Sequence, residues 1–186
     1  SVLIMPPINR STNVDAKEYF FTTLNVPILN AGYYVIPPFL SMEILKKESA
    51  YDSELFIENP SLKIFNSIFG ADIILFTIIN KWDKSRIGSK VTVEVEYIIK
   101  STHTNEILYS RKGTISYNTS ISSGGGALLN NLASAVNTAA TKYVDVAKAA
   151  NNYIFYDLPK GKYSPMFGLD KEEKAGLKVI KVRLPK

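Results

Sequence analysis

Few side chains of this sequence have the type and spacing that acid–base or nucleophilic catalysis requires. His103 is the only histidine, and it lies at a predicted turn, where a general base would lack both burial and an orienting partner. A Ser-His-Asp triad would have to use it, so that chemistry is nearly excluded. Glu94 and Glu96 project from one face of a predicted strand about 7 Å apart, a spacing that could suit the paired carboxylates of a hydrolase. Nearby lysines favour a solvated strand face instead.

A phosphate-binding loop is the second chemical candidate, because three glycines, residues 124–126, precede a long predicted helix and helix N-termini bind anions. The complete motif requires a lysine followed by serine or threonine after the glycines. This chain continues with Ala127 and Leu128, so we interpret the glycines as a hinge. The sequence has no cysteine and no cluster of histidines and carboxylates with metal-ligand spacing. We therefore predict no catalytic residue, no metal and no cofactor.

Three polar residues near the end of the first predicted strand form an alternative candidate site. Asn9 and Arg10 follow the strand directly, and Asp15 comes just before a predicted helix. Ligands in open α/β sheets favour the C-terminal ends of strands. These residues therefore leave open a small-ligand-binding or enzymatic module, which a deep pocket at Asn9 and Arg10 would favour.

The elements that would position these side chains begin with two short apolar runs, over residues 2–7 and 33–38, each stopped by a pair of prolines. Proline cannot donate to a strand ladder, so each pair predicts the end of a buried strand. The residues between have helical spacing, with Asp15 as N-cap and Gly32 after the last turn. Pro27 either kinks this helix or opens a second one. Strand, crossover helix and strand predict a parallel βαβ unit.

The middle of the chain changes from helical patterns to strand patterns. Helical patterns flank a predicted loop over residues 50–60, and Gly70 closes the second of them. Residues 73–79 form a continuous apolar run, which is typical of a central strand covered on both faces. Residues 91–100 and 106–117 alternate apolar and polar side chains, which predicts an antiparallel hairpin with one wet face.

Residues 127–151 form the longest predicted helix, which is rich in alanine and can therefore lie close to a sheet or another helix. Together the patterns predict a single α/β domain over residues 1–170. Its mixed sheet combines parallel βαβ strands with the antiparallel hairpin, and its helices lie mainly on one face. Residues 171–186 are predicted to form a basic C-terminal tail, in which charged residues alternate with apolar ones.

The charge balance is modestly positive, with 22 Lys and Arg against 17 Asp and Glu. A nucleic-acid-binding protein usually concentrates such cations on one face, with aromatic residues interleaved for stacking. The predicted tail lacks that pattern, so we predict no nucleic-acid partner. No apolar run in the sequence reaches the roughly 20 residues that a membrane-spanning helix requires.

Aromatic residues cluster after the long helix, in a segment punctuated by proline and glycine. Such an irregular segment either packs across the domain surface or contacts a partner, and both interpretations stay open. The candidate partner-contact residues are Tyr153, Phe155, Tyr156, Tyr163 and Phe167.

Four sequence blocks together resemble a known family. They are residues 2–16 (VLIMPPINRSTNVDA), 27–37 (PILNAGYYVIP), 69–72 (FGAD) and 158–168 (LPKGKYSPMFG). In this order they resemble a group of Gram-negative periplasmic lipoproteins of unknown function, related to a neisserial surface-antigen candidate. The resemblance covers about residues 2–170.

The resemblance implies an outer-membrane lipoprotein that faces the periplasm, with a fold similar to the N-terminal domain of TolB, the peptidoglycan-synthase activators and the curli-secretion lipoproteins. It also implies assembly with itself or with partner lipoproteins in envelope transport or secretion, and the surplus of aromatic residues leads us to expect a homodimer. It supplies no catalytic residues. The membrane would be reached only through an N-terminal lipid anchor, and we expect the signal peptide and lipidated cysteine to precede Ser1.

Overall fold

The computed structural model of the chain describes residues 1–58, 61–85, 90–118, 132–174 and 176–184. Six strands form one mixed sheet in the order β1-β3-β4-β5-β6, with β2 also beside β3. The predicted single α/β domain with a mixed sheet is confirmed. The elements in chain order are β1 (Val2–Ile4), β2 (Ile8–Asn9), α1 (Ala16–Asn30), α2 (Pro38–Lys47), α3 (Glu54–Ile57), α4 (Lys63–Phe69), β3 (Ile73–Lys84), β4 (Lys90–Ser101), β5 (Ile107–Asn118), α5 (Leu132–Ile154) and β6 (Val179–Leu184).

The first proline pair interrupts a strand where the sequence predicts that the strand ends. β1 and β2 lie on either side of Pro6 and Pro7, and both pair in parallel with β3. The prolines lack N–H groups and break the ladder locally, yet the Arg10 N–H still donates to the Ile79 carbonyl at 2.8 Å. The predicted strand over residues 33–36 is reduced to a single parallel bridge between Val2 and Val35.

The helix between these runs, α1, continues through Pro27 as one element. Asp15 occupies its N-cap position without a side-chain capping bond, and Gly32 follows its end with φ of +87°. Helix α2 begins at Pro38, since proline at the first helical position loses no intrahelical bond. The apolar spacing in the sequence predicts a later start for this helix, after Ser41.

Strand β3 is buried between two cores, as the continuous apolar run predicts. Leu75 and Ile79 face the core built by α1, α5 and the inner faces of β4 and β5. Ile74 and Phe76 face a smaller core that includes Leu45 of α2 and Phe65 of α4. The two longest helices therefore share one face of the sheet, and the shorter helices cover the other face at β3.

The predicted hairpin is present as β4 and β5, which pair antiparallel. Strand β6, which lies within the predicted tail, pairs in parallel with β5 and forms an edge of the sheet. Helix α5 ends at Ile154. The three glycines and the predicted start of this helix, residues 119–131, lie outside the described residues.

Candidate functional site

The segment that follows α5 crosses the end of α1 in a series of turns, residues 155–170. Backbone hydrogen bonds hold it there: the Gly161 N–H donates to the Ala31 carbonyl at 2.8 Å, and the Tyr163 N–H donates to the Gly32 carbonyl at 2.9 Å. The Tyr33 hydroxyl donates to the Pro159 carbonyl at 2.8 Å. Burial, followed by the charge of Asp170, raises the pKa of Tyr33, so the phenol stays a neutral donor.

Two glycines allow this close crossing. A Cβ atom on Gly32 would collide with the backbone of Ser164, and a Cβ on Gly161 would collide with the Gly32 carbonyl. Gly32 also has φ of +87°, a left-handed conformation that costs other residues free energy. The contact therefore depends on both glycines, although they lie far apart in the sequence.

A buried ion pair fixes the start of the segment. Arg111 on β5 is 3% exposed, and its guanidinium donates to both carboxylate oxygens of Asp157 and to the Ile154 carbonyl at 2.7 Å. The Gly176 N–H donates to the same carboxylate at 3.0 Å. Burial raises the pKa of Asp157, but the hydrogen bonds and charge of Arg111, with the Gly176 N–H, outweigh it and hold that pKa below its usual value.

The outer side of this segment is apolar, and we call it the aromatic surface. Tyr156 is 67% exposed, Tyr163 66% and Phe167 59%. Met166 and Leu169 are also exposed; they are not aromatic, so the clustering of aromatic residues in the sequence does not indicate them. The aromatic surface thus consists of Tyr156, Tyr163, Met166, Phe167 and Leu169.

The other two candidate contact residues, Phe155 and Tyr153, are more buried than those of the aromatic surface. Phe155 is 2% exposed, and its ring meets the Tyr97 ring edge-on with centroids 4.8 Å apart. It therefore belongs to the core and supports the segment from inside. Tyr153 is half-buried, with its ring centroid 6.0 Å from that of Tyr156.

The structure does not bring the alternative candidates Asn9, Arg10 and Asp15 into one polar site. The Asn9 side chain closes its own loop, donating to the Asn13 carbonyl at 2.7 Å and accepting from the Ser11 N–H at 3.1 Å. Arg10 forms an exposed salt bridge of 2.7 Å with Glu54. Asp15 precedes α1, where the Tyr19 hydroxyl approaches it at 3.5 Å. Each side chain therefore has a local role.

The remaining chemical candidates are partly or largely exposed: Glu94 and Glu96 are half-buried on β4, and His103 lies in the turn after it. Glu94 forms a salt bridge of 2.7 Å with Lys112 on the neighbouring strand, consistent with the strand-face interpretation. The His103 side chain is 58% exposed, with its Nε2 3.6 Å from the Asp72 carboxylate. Over the described ranges, no group of three or more His, Cys, Asp and Glu could hold a metal ion. Within the same ranges, no helix has both the length and the apolar character to cross a membrane.

A groove with a volume of about 440 Å³ lies between α1 and α2. Phe21, Asn25, Met42 and Tyr51 line it. Two of its charged neighbours, Glu43 and Lys46, face each other at 3.4 Å. The groove is separate from Asn9 and Arg10.

Comparison with known proteins assigns the family. Residues 1–160 match the family described as "Putative lipoprotein GNA1162-like". The chain belongs to this family. The resemblance that the four sequence blocks carry is thereby confirmed. The assignment concerns a class of lipoproteins and names no catalytic activity.

One neisserial sequence and one neisserial crystal structure are similar to this chain. The protein named "Putative lipoprotein NMB1124/NMB1162", from Neisseria meningitidis serogroup B, is 27% identical over 139 residues, which are 73% of this chain and 63% of that protein. This chain thus spans less than two thirds of that relative. The crystal structure of lipoprotein GNA1162 from Neisseria meningitidis matches with a TM-score of 0.56 and 24% identity, covering 75% of this chain and 96% of that one. This match shows a shared fold.

Proposed function

We propose that this chain is the periplasmic domain of an outer-membrane lipoprotein and acts without catalysis, by contacts with other proteins. Membership of a lipoprotein family supports the envelope location. The observation that carries the contact role is the aromatic surface, because a fixed backbone segment exposes Tyr156, Tyr163 and Phe167. Large rigid aromatic side chains are the residues that most often anchor protein interfaces. We further propose a role as an assembly component of an envelope transport or secretion system.

A second copy of the chain is the partner that we propose for this surface. Aromatic side chains offer 150–250 Å² each, so three that are about two-thirds exposed present roughly 300–500 Å². A standard interface buries about 800 Å² per partner around an apolar centre, and the aromatic surface can supply that centre. The charged residues near it in the sequence carry both signs, which suits a two-fold interface in which each patch faces its own copy. They are Lys160, Lys162, Asp170, Lys171, Glu172 and Glu173.

Sedimentation velocity over a range of protein concentrations tests this assembly. The unmodified protein is expected to dimerise, and the double variant Tyr163→Ser with Phe167→Ser is expected to raise the dimer dissociation constant at least about 30-fold, as loss of interface anchors does. Phe39→Ser is the matched control, because Phe39 on α2 is an aromatic residue with 82% exposure outside the aromatic surface. A monomeric unmodified protein, or equal dimerisation of the double variant, would contradict the proposal.

The lipoprotein assignment has its own test. The product of the full-length gene, expressed in a Gram-negative host, should incorporate labelled palmitate and fractionate with outer membranes. Recovery of an unlabelled product in the soluble periplasmic fraction would contradict the anchor while leaving the dimerisation result unaffected.

A further inference from the structure

Strand β6 is the last strand in the order of the described sheet. Its only strand partner among the described residues is β5, with which it runs parallel. The Lys112 N–H donates to the Lys178 carbonyl at 2.8 Å, which fixes the alternation of backbone groups along β6. In a parallel ladder, alternate residues direct both N–H and C=O to opposite sides. Val179, Lys181 and Arg183 therefore direct their backbone groups away from β5.

The side chains of β6 leave apolar surface beside this edge. Ile180, Val182 and Leu184 contact the main core but remain partly exposed. Val179, on the opposite face, is 69% exposed. A strand added next to β6 would satisfy the outward backbone groups and cover these side chains together.

The charge along the edge is positive. Lys178, Lys181 and Arg183 are all exposed, and none of them takes part in the salt bridges found among the described residues. Lys112, on the neighbouring strand, differs because Glu94 lies 2.7 Å from its Nζ. Of these four cations, the three without an ion-pair partner among the described residues lie on β6 or directly before it.

This charge argues against a second copy as the occupant. Two β6 strands paired edge to edge around a two-fold axis would bring lysine and arginine side chains close to their own copies, and like charges on neighbouring strands are destabilising. Charged edge strands commonly prevent self-association in this way. A strand carrying carboxylates would meet the opposite charge and form cross-strand ion pairs.

We propose that β6 binds an extended acidic segment of another protein, which adds to the sheet as a further strand. The main-chain hydrogen bonds to Val179, Lys181 and Arg183 supply affinity, and the cations select acidic sequences. The residues of β6 are distinct from those of the aromatic surface. Strand addition at β6 and dimerisation through the aromatic surface can therefore be disproved independently.

Fluorescence anisotropy with two labelled peptides tests the proposal on the full chain. One peptide alternates valine with glutamate and the other alternates valine with lysine, both with blocked ends. We expect saturable binding of the glutamate peptide and at least about tenfold weaker binding of the lysine peptide. Hydrogen exchange should show new protection of the Lys181 amide in the presence of the glutamate peptide. Absent binding, or equal binding of both peptides, would overturn the proposal.

Two variants separate the backbone and charge contributions. Lys181→Pro removes an outward N–H but none of the N–H groups that bond to β5, and proline is tolerated at such edge positions; it should abolish peptide binding while the circular dichroism spectrum is retained. Lys181→Glu with Arg183→Glu should reverse the preference toward the lysine peptide. Unchanged binding by either variant would count against the added strand.

A control separates local from overall charge. Lys47→Glu with Lys63→Glu changes the net charge by the same amount on exposed helical positions, and it should leave the binding of the glutamate peptide unchanged. An equal loss with this control would overturn the proposal in favour of overall charge. If Lys181→Pro instead dissociates a dimer of the chain, the edge belongs to a second copy and the acidic partner is excluded.

Discussion

Arg111 and Asp157 are the residues on which the position of the candidate site most depends. Their ion pair joins β5 to the segment after α5. The Gly176 N–H donates to the same carboxylate and so attaches the residues that lead into β6. A Cβ atom on Gly176 would collide with the Asp157 carboxylate, so the backbone must approach closely here. One carboxylate thereby fixes three parts of the chain that are distant in sequence.

Replacement of this carboxylate should strongly destabilise the fold. Asp157→Asn leaves the Arg111 guanidinium buried without a counter-charge, which typically costs about 3–5 kcal/mol. Urea unfolding at neutral pH measures the change. Asp83→Asn is the matched control, because Asp83 pairs with Lys81 at 2.8 Å on the surface, where both side chains are about half exposed; its effect should be small. Similar losses for the two variants would refute the buried-pair argument.

The same pair predicts a dependence of stability on pH. Since the pKa of Asp157 is lower in the folded state than in the unfolded chain, its ionisation stabilises the fold above the unfolded value of about 3.9. That stabilisation is lost as the pH falls through the folded pKa. The free energy of unfolding should therefore decrease more steeply below about pH 4 in the unmodified protein than in Asp157→Asn. Parallel pH profiles from urea unfolding would contradict this assignment.

At the scale of elements, the crossing of residues 160–164 over the end of α1 depends on glycine for two different reasons. Gly32 and Gly70 both have left-handed φ, but a Cβ would meet Ser164 at Gly32 and open space at Gly70. Gly70→Ala should therefore cost only the backbone strain, about 1–2 kcal/mol. Gly32→Ala should cost more and should also speed hydrogen exchange at the Gly161 and Tyr163 amides. Unchanged exchange at those amides would contradict the proposed crossing.

The elements that follow from local patterns could be predicted, and long-range contacts could not. The alternation in β4 and β5 and the apolar run of β3 are determined by neighbouring residues. The burial of Asn151 is different: its amide donates to the Thr23 hydroxyl at 2.9 Å and its Oδ1 accepts from the Tyr97 hydroxyl. Three elements must be assembled before this asparagine can be recognised as a core residue.

The candidate site shows the same limit. Phe155 and Tyr156 are adjacent aromatic residues at the end of a helix, and composition does not tell which one enters the core. The packing of Phe155 against Tyr97 on β4 decides it. The sequence predicts a tail over the residues of β6 because Lys181 and Arg183 alternate with apolar residues. The same pattern also fits an edge strand with one solvent-exposed face.

At the scale of the whole molecule, the sheet is covered unequally. Both faces of β3 are buried, whereas β4 and β5 have a polar outer face with Glu94, Glu96 and Lys112. β6 extends this half-covered region and contributes Ile180, Val182 and Leu184 to the main core. Residues 179–184 should therefore belong to the folding unit.

Removal of β6 tests whether the chain folds as one unit that includes its last strand. Complete burial of an aliphatic side chain stabilises a protein by about 1.5–3 kcal/mol, so loss of three half-buried ones should cost about 2–4 kcal/mol. A chain that ends at Leu177 keeps Gly176 and its bond to Asp157, so the Arg111 pair remains intact.

Urea unfolding can be followed by the fluorescence of Trp82, which is 5% exposed in the main core and is the only tryptophan. Val179→Ser is the control, because this exposed β6 residue should contribute less than about 0.5 kcal/mol. An unchanged unfolding midpoint for the shortened chain would show that residues 178–186 do not stabilise the fold. β6 would then be no stable strand for an acidic segment to pair with.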